Sequence, residues 1–279
     1  MPDPQWSDAQ YNPRAAVPEH PAWFGRWRGE SDHWRRALAC ELDLPYGASA
    51  GERLDVFPSD GPSRAVLSFV HGGYWRSLDK ADFSFIASAF VPLGVTVVVP
   101  NYDLCPGVSI EDIVRQMLAA HAWIHGRIAD FGGDPERIFV AGHSAGGHLA
   151  AMLALAQWPD YLPGLPADLV KGVLSISGIH DVVPLLDTSM NVDFRLDEAA
   201  ALKVSPVTYR PTRRVPVYAA VGSLESAEFR RQTGLLEERW PECVRETLEV
   251  PDRHHFSVVD ALVESDNVLH ATARRMLAA

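Results

Sequence analysis

The chain has 279 residues, with 25 Lys+Arg against 36 Asp+Glu, for a formal charge of −11 with histidine neutral. An acidic balance of this size argues against a sequence-independent nucleic-acid binder, which needs a basic face for phosphates, and against polybasic docking on anionic membranes. At 47% hydrophobic and 22% charged residues the composition is too apolar for disorder, and the length suits one α/β core as well as two smaller domains.

The first ten residues carry neither a basic nor an apolar stretch, so no signal peptide is read. The longest apolar stretch, residues 149–156, is far short of the roughly 20 residues a membrane span requires. Cys40, Cys105 and Cys243 are odd in number and widely spaced, which fits neither a disulfide framework nor a Cys-x-x-Cys site. A soluble protein of a reducing, cytoplasmic compartment is expected.

Residues 1–38 are rich in Pro and hold Trp6, Trp23, Trp27 and Trp34. They predict an extended arm followed by a short helix over 22–39. Four indoles are costly to leave in water, so the arm should pack on a single domain spanning 39–279. Two short strands follow at 39–46 and 52–58, joined by a turn-rich segment. Apolar runs of Val and Ile character then recur at 65–70, 95–100, 137–141, 170–177, 215–221 and 246–250, separated by helical periodicity. One such helix carries Ile110, Ile113, Val114, Met117, Leu118, His121, Ile124 and Ile128 at spacings of three and four. Another carries Phe229, Leu236 and Trp240 on one face. Short, nearly continuous apolar strands are what a parallel sheet covered on both faces demands. The expected architecture is α/β: a mostly parallel, doubly wound sheet with antiparallel N-terminal strands.

Gly-x-Ser-x-Gly occurs twice, at 47–51 and 142–146. Context separates them. Gly142-His143-Ser144-Ala145-Gly146 follows a strand and opens a helix, the setting in which a sharp turn lifts a serine hydroxyl above the sheet. Ser144 is therefore the candidate nucleophile. The other match, around Ser49, lies between two strands and reads as a hairpin loop. His71-Gly72-Gly73-Tyr74-Trp75 follows the 65–70 strand, where such a fold keeps one oxyanion donor. Gly72, Gly73 and Ala145 are the candidate oxyanion-hole residues. Tyr74 and Trp75 adjoin that loop and are candidates for substrate contact, whereas Phe83 and Phe85 read as core.

The remaining partners are sought in the chain order serine, acid, histidine. The loop after 246–250 offers His254 and His255, and His255, nearer the following helix, is preferred. The loop after 215–221 offers Glu225, with Asp181 and Asp252 as alternatives. His143 and His148 lack the i, i+4 spacing of a helical metal pair and have no carboxylate cluster beside them, so no metal site is expected.

Taken together, His-Gly-Gly-Tyr-Trp at 71–75 and Gly-His-Ser-Ala-Gly at 142–146 resemble the serine-dependent kynurenine formamidases (arylformamidases) of the α/β-hydrolase fold. The resemblance runs from about Pro45 to the C-terminus and takes in Ser177-Gly-Ile-His-Asp181, Ser205-Pro206, Glu225-Ser226, Glu228-Phe229, Arg231-Gln232 and His255-Phe256. It implies Ser144 as nucleophile, His255 as base and Glu225 as acid, with Glu standing where the animal enzymes carry Asp. It further implies hydrolysis of N-formyl-L-kynurenine to formate and L-kynurenine without a cofactor. The expected partner is a small aryl amide or ester, and a homodimer is compatible with the sequence. A carboxylesterase of small acyl or aryl esters shares every one of these residues. A non-catalytic binding protein would be expected to lack one.

Overall fold

The computed structural model describes residues 4–279, so the first three residues of the expected arm lie outside it. Three helices come first: α1 (Pro4–Tyr11), α2 (Pro13–Ala16) and α3 (His20–Ala37). Strands β1 (Glu41–Pro45), β2 (Arg53–Phe57) and β3 (Ala65–Val70) follow, then α4 (Ala87–Phe90), β4 (Val95–Pro100), α5 (Ile110–Arg127) and β5 (Ile138–His143). Next come α6 (Ala145–Ala154), α7 (Trp158–Tyr161), β6 (Val170–Ile176), α8 (Asn191–Phe194) and α9 (Glu198–Lys203). The chain closes with β7 (Val217–Gly222), α10 (Ala227–Arg239), β8 (Val244–Val250), α11 (Ser257–Ala261) and α12 (Val268–Leu277).

The eight strands form one sheet in the order β1-β2-β4-β3-β5-β6-β7-β8. β1–β2 and β2–β4 pair antiparallel, and every pairing from β4 onward is parallel. Parallel strands need crossover helices, and those helices bury both faces. The strand sequences show the result. On β3, Val66 and Val70 pack to one side among Ile113, Met117, Leu149 and Phe229 of the α5, α6 and α10 layer. Leu67 and Phe69 pack to the other, with Trp27 of α3, Val259 of α11 and Leu269 and Met276 of α12. All six residues of β3, β4 and β5 are buried.

The N-terminal arm departs from its expected form. It is helical almost throughout, not extended. Pro13 stands at the start of α2, where a missing N–H costs nothing and the fixed φ suits the helix. The Asn12 side chain caps α2 by accepting from the Ala15 N–H at 3.2 Å. Trp27 is fully buried against Phe83 and Phe85, as an arm seated on the body requires, but Trp6 stays 44% exposed. Arg26 of α3 is paired with Asp260 of α11, and Tyr11 donates to Glu228 of α10 at 2.5 Å. Near the other sheet edge, Lys80 reaches Asp43 at 2.6 Å and the fully buried Asp55 at 2.7 Å, tying the loop after β3 to β1 and β2. Among the described residues no helix is long and apolar enough to cross a membrane.

Candidate active site

Four loops leave the C-terminal ends of β3, β5, β7 and β8 and converge above the sheet. β5 continues two residues further than its apolar run, through Gly142 and His143, and delivers Ser144 at the first break in the sheet. Ser144 has φ 57° and ψ −118°, a sparsely populated conformation costing on the order of 1–3 kcal/mol. Its N–H donates to the Ile176 carbonyl at 2.8 Å, pinning the turn to β6. The turn is so tight that a Cβ on Gly146 would stand 2.0 Å from the Val70 carbonyl oxygen. Glycine is required there by close approach. Ala145 then opens α6, so its N–H has no helical acceptor and points free of the ladder.

The loop after β3 brings the second set of N–H groups. Gly73 has φ 109°, and a Cβ there would meet the Ser77 carbonyl oxygen at 1.9 Å. Tyr74 and Trp75 follow with φ 52° and 54°. The Ser77 hydroxyl donates to the Gly73 carbonyl at 2.9 Å and holds the loop closed. His71, at its start, stacks on Tyr102 with ring centroids 4.2 Å apart. Gly73 and Ser144 line the same cavity, and Ala145 directly follows the serine at the start of α6.

His255 and Glu225 complete the constellation. The Ser144 hydroxyl lies 3.0 Å from His255 Nε2, and His255 Nδ1 lies 2.6 Å from Glu225 Oε2. With Nδ1–H donating to the carboxylate, Nε2 is left as the acceptor facing the serine. Both side chains are buried. Glu225 Oε1 is occupied too: it accepts from the Ser177 hydroxyl at 2.5 Å and the Gly222 N–H at 2.8 Å. His143 Nε2–H donates to the His255 carbonyl at 2.8 Å and fixes the backbone that carries the base.

The alternatives lie elsewhere. Asp181 accepts from the Val183 N–H, and Asp252 is exposed. His254 Nδ1 accepts from the N–H groups of Phe256 and Ser257 at the start of α11. Ser49 stays in the β1–β2 loop with its N–H on Glu52. The two loop aromatics divide. Tyr74 lines the cavity over Ser144 and donates its hydroxyl to the Tyr11 carbonyl. Burial pushes its phenol far above the usual range, so it stays a neutral donor. Trp75, expected to contact substrate, is instead fully buried and does not line this cavity. Its indole packs into the core against His148 and Phe194.

Sequence reasoning missed two contributions. Ser177 and the Gly222 N–H buttress the acid, a role that depends on β6 and β7 being neighbours. The arm also forms a wall of the site, since Asn12, Pro13, Arg14, Phe24 and Trp27 line the cavity with Ser144 and His255. The cavity that Ser144 lines is narrow, with about 20 Å³ of free space. A roomier cavity of about 230 Å³ lies on the far side of Asn12 and Pro13, against Phe229 and His255.

Burial also holds a set of histidines neutral. It lowers His121 and His180 to about 4 and His148 to about 3. The hydrogen bonds agree: His148 donates from Nε2 to the Val204 carbonyl and leaves Nδ1 bare. An unfolded histidine titrates near 6.5. Stability from these groups is therefore complete above pH 6.5 and is lost as pH falls toward the folded values, by roughly 1–1.5 kcal/mol per pH unit for each. The urea midpoint should drop clearly between pH 7.5 and 5.5. An unchanged midpoint would mean these imidazoles are not held neutral.

A family model for the alpha/beta hydrolase fold matches residues 67–210, just over half the chain. The chain is 33% identical over 248 residues to a kynurenine formamidase of Salmo salar, covering 85% of this chain and 81% of that protein. It is 28% identical to a kynurenine formamidase of Danio rerio, over 98% and 94% of the two chains. Among solved structures, a protein of Silicibacter sp. TM1040, provisionally described as a thioesterase, superposes with a TM-score of 0.84 at 33% identity over 94% and 96% of the two chains.

Proposed function

We propose that this chain, which belongs to the alpha/beta hydrolase family and is a kynurenine formamidase-like amide/ester hydrolase, cleaves N-formyl-L-kynurenine to formate and L-kynurenine. The observation that carries the reading is the unbroken relay Ser144–His255–Glu225 in a chain aligned nearly end to end with kynurenine formamidases.

His255 Nε2 takes the Ser144 proton as the oxygen attacks the formyl carbon. Glu225 holds the imidazole in the productive tautomer and stabilises the imidazolium. The Gly73 and Ala145 N–H groups receive the tetrahedral oxyanion, where preorganised donors contribute most. His255 then returns its proton to the departing nitrogen, which is necessary because an arylamide anion leaves poorly. Water, activated by the same imidazole, removes the formyl group from Ser144 and releases formate.

The narrow space over Ser144 supports a small acyl group. A panel of formyl, acetyl and butyryl anilides, with the matching phenyl esters and thioesters, tests the reading. Formyl anilide should exceed butyryl by at least about tenfold in kcat/KM, the scale of overfilling a packed site. A kcat/KM that rises with acyl length, or cleavage of esters or thioesters alone, would replace the formamidase reading with that of a carboxylic or thioester hydrolase.

A further inference from the structure

Two arginines, Arg14 of α2 and Arg76 of the loop after β3, line the cavity that holds Ser144. Their charges are treated differently. Arg76 is paired with Asp193. Arg14 has no carboxylate partner among the described residues. Its Nη2 donates to the Ser77 hydroxyl at 2.6 Å, and its guanidinium lies 5.4 Å from the centre of the Phe24 ring. Among the described residues the Ser77 hydroxyl is the side-chain acceptor of this partly buried guanidinium, whose fork has further N–H donors to offer a ligand.

Arg14 is also held in place. Pro13 beside it is buried, Asn12 caps the turn, and Tyr11 is clamped by Glu228 and by Gln232 at 3.1 Å. Burial, with Arg76 nearby, lowers the Arg14 guanidinium below its ordinary value. On a chain of net charge −11 an anionic substrate meets general repulsion, and a local unpaired cation is what would reverse it at the cavity.

We propose that Arg14 is the receptor for a carboxylate on the leaving group, so that the enzyme selects anionic aryl substrates and the N-terminal helices take part in specificity. This rests on Ser144 being the nucleophile and, for the named substrate, on the formamidase reading, because N-formyl-L-kynurenine ends in an amino-acid carboxylate. The planar fork of arginine suits a carboxylate in two-point contact.

The test compares N-formyl-L-kynurenine with N-formylkynuramine, which keeps the aryl formamide, ketone and amine but lacks the carboxylate. The wild-type full chain should prefer the carboxylate by about 10–100-fold in kcat/KM, mainly through KM, as expected for a charge-assisted contact. Arg14→Met should collapse that ratio to within about threefold, and Arg14→Lys should restore part of it. A wild-type ratio near one overturns the proposal. So does a variant that lowers both substrates equally, which would make Arg14 a support for Ser77 and the loop behind it. If neither formamide is cleaved but phenyl acetate is, the formamidase reading fails by itself. The ratio of 3-carboxyphenyl acetate to phenyl acetate, in wild type and Arg14→Met, then decides the role of Arg14 by the same two outcomes.

Discussion

Ser144→Ala should lower kcat by about 10⁴-fold or more, with thermal unfolding essentially unchanged. The hydroxyl sits 3.0 Å from His255 Nε2 and is the attacking atom of the proposed reaction, while the backbone at this position is fixed by the Ile176 carbonyl and by glycine-only contacts around it. Alanine keeps that backbone and loses only the oxygen. A fluorophosphonate probe should label the wild type and not the variant. Near-normal turnover by Ser144→Ala, or inhibition of the wild type by chelators, would end the serine mechanism.

Glu225→Gln should lower kcat by about 10³–10⁴-fold, the scale seen when a triad carboxylate loses its charge. The amide cannot satisfy its surroundings. Oε1 receives two donors, Ser177 Oγ and the Gly222 N–H, and Oε2 receives a third, His255 Nδ1. A glutamine that keeps its oxygen toward Ser177 and Gly222 turns an N–H₂ toward His255. Nδ1 must then accept, Nε2 carries the proton, and the face toward Ser144 can no longer take one. Glu225→Asp should retain partial activity, since the charge survives on a shorter stem. Asp181→Asn and Asp252→Asn should each cost far less. The comparison is made at equal thermal stability, and a crippled Asp181 or Asp252 variant would show that the acid is misassigned.

The strands were readable because the parallel part of the sheet is buried on both faces, which writes them as uninterrupted apolar runs. β5 was cut short because its last two residues, Gly142 and His143, are chosen for the turn and not for burial. The arm's helices are hidden in the sequence because its prolines suggest extended chain, whereas Pro13 stands at a first helical position, where proline starts a helix. Ser144 is legible from Gly-x-Ser-x-Gly between a strand and a helix, and chain order with loop position then narrows its partners to Glu225 and His255 with few alternatives. Trp75 could not be placed that way: it and Tyr74 share nearly the same positive φ, yet the indole is buried in the core while Tyr74 lines the cavity. Nor could Ser177 be recognised, because its partner Glu225 is 48 residues away and meets it only through the pairing of β6 with β7.

Arm and body are joined by bonds of great sequence separation: Ser226 to the Gln10 carbonyl across 216 residues, and Arg26 to Asp260 across 234. Contacts that distant carry the largest loop-closure cost and form late. On the ribosome, α1 to α3 emerge before any of the surfaces of α10 and α11 that receive them exist. Trp27 can pack on Phe83 and Phe85 as soon as the segment after β3 is made, but Phe24 and the rest of the α1–α2 face have to wait for Phe256 and α10. A cavity with Arg14 in its wall therefore exists only after residues 12–14 have met the segment that carries His255 and Phe256.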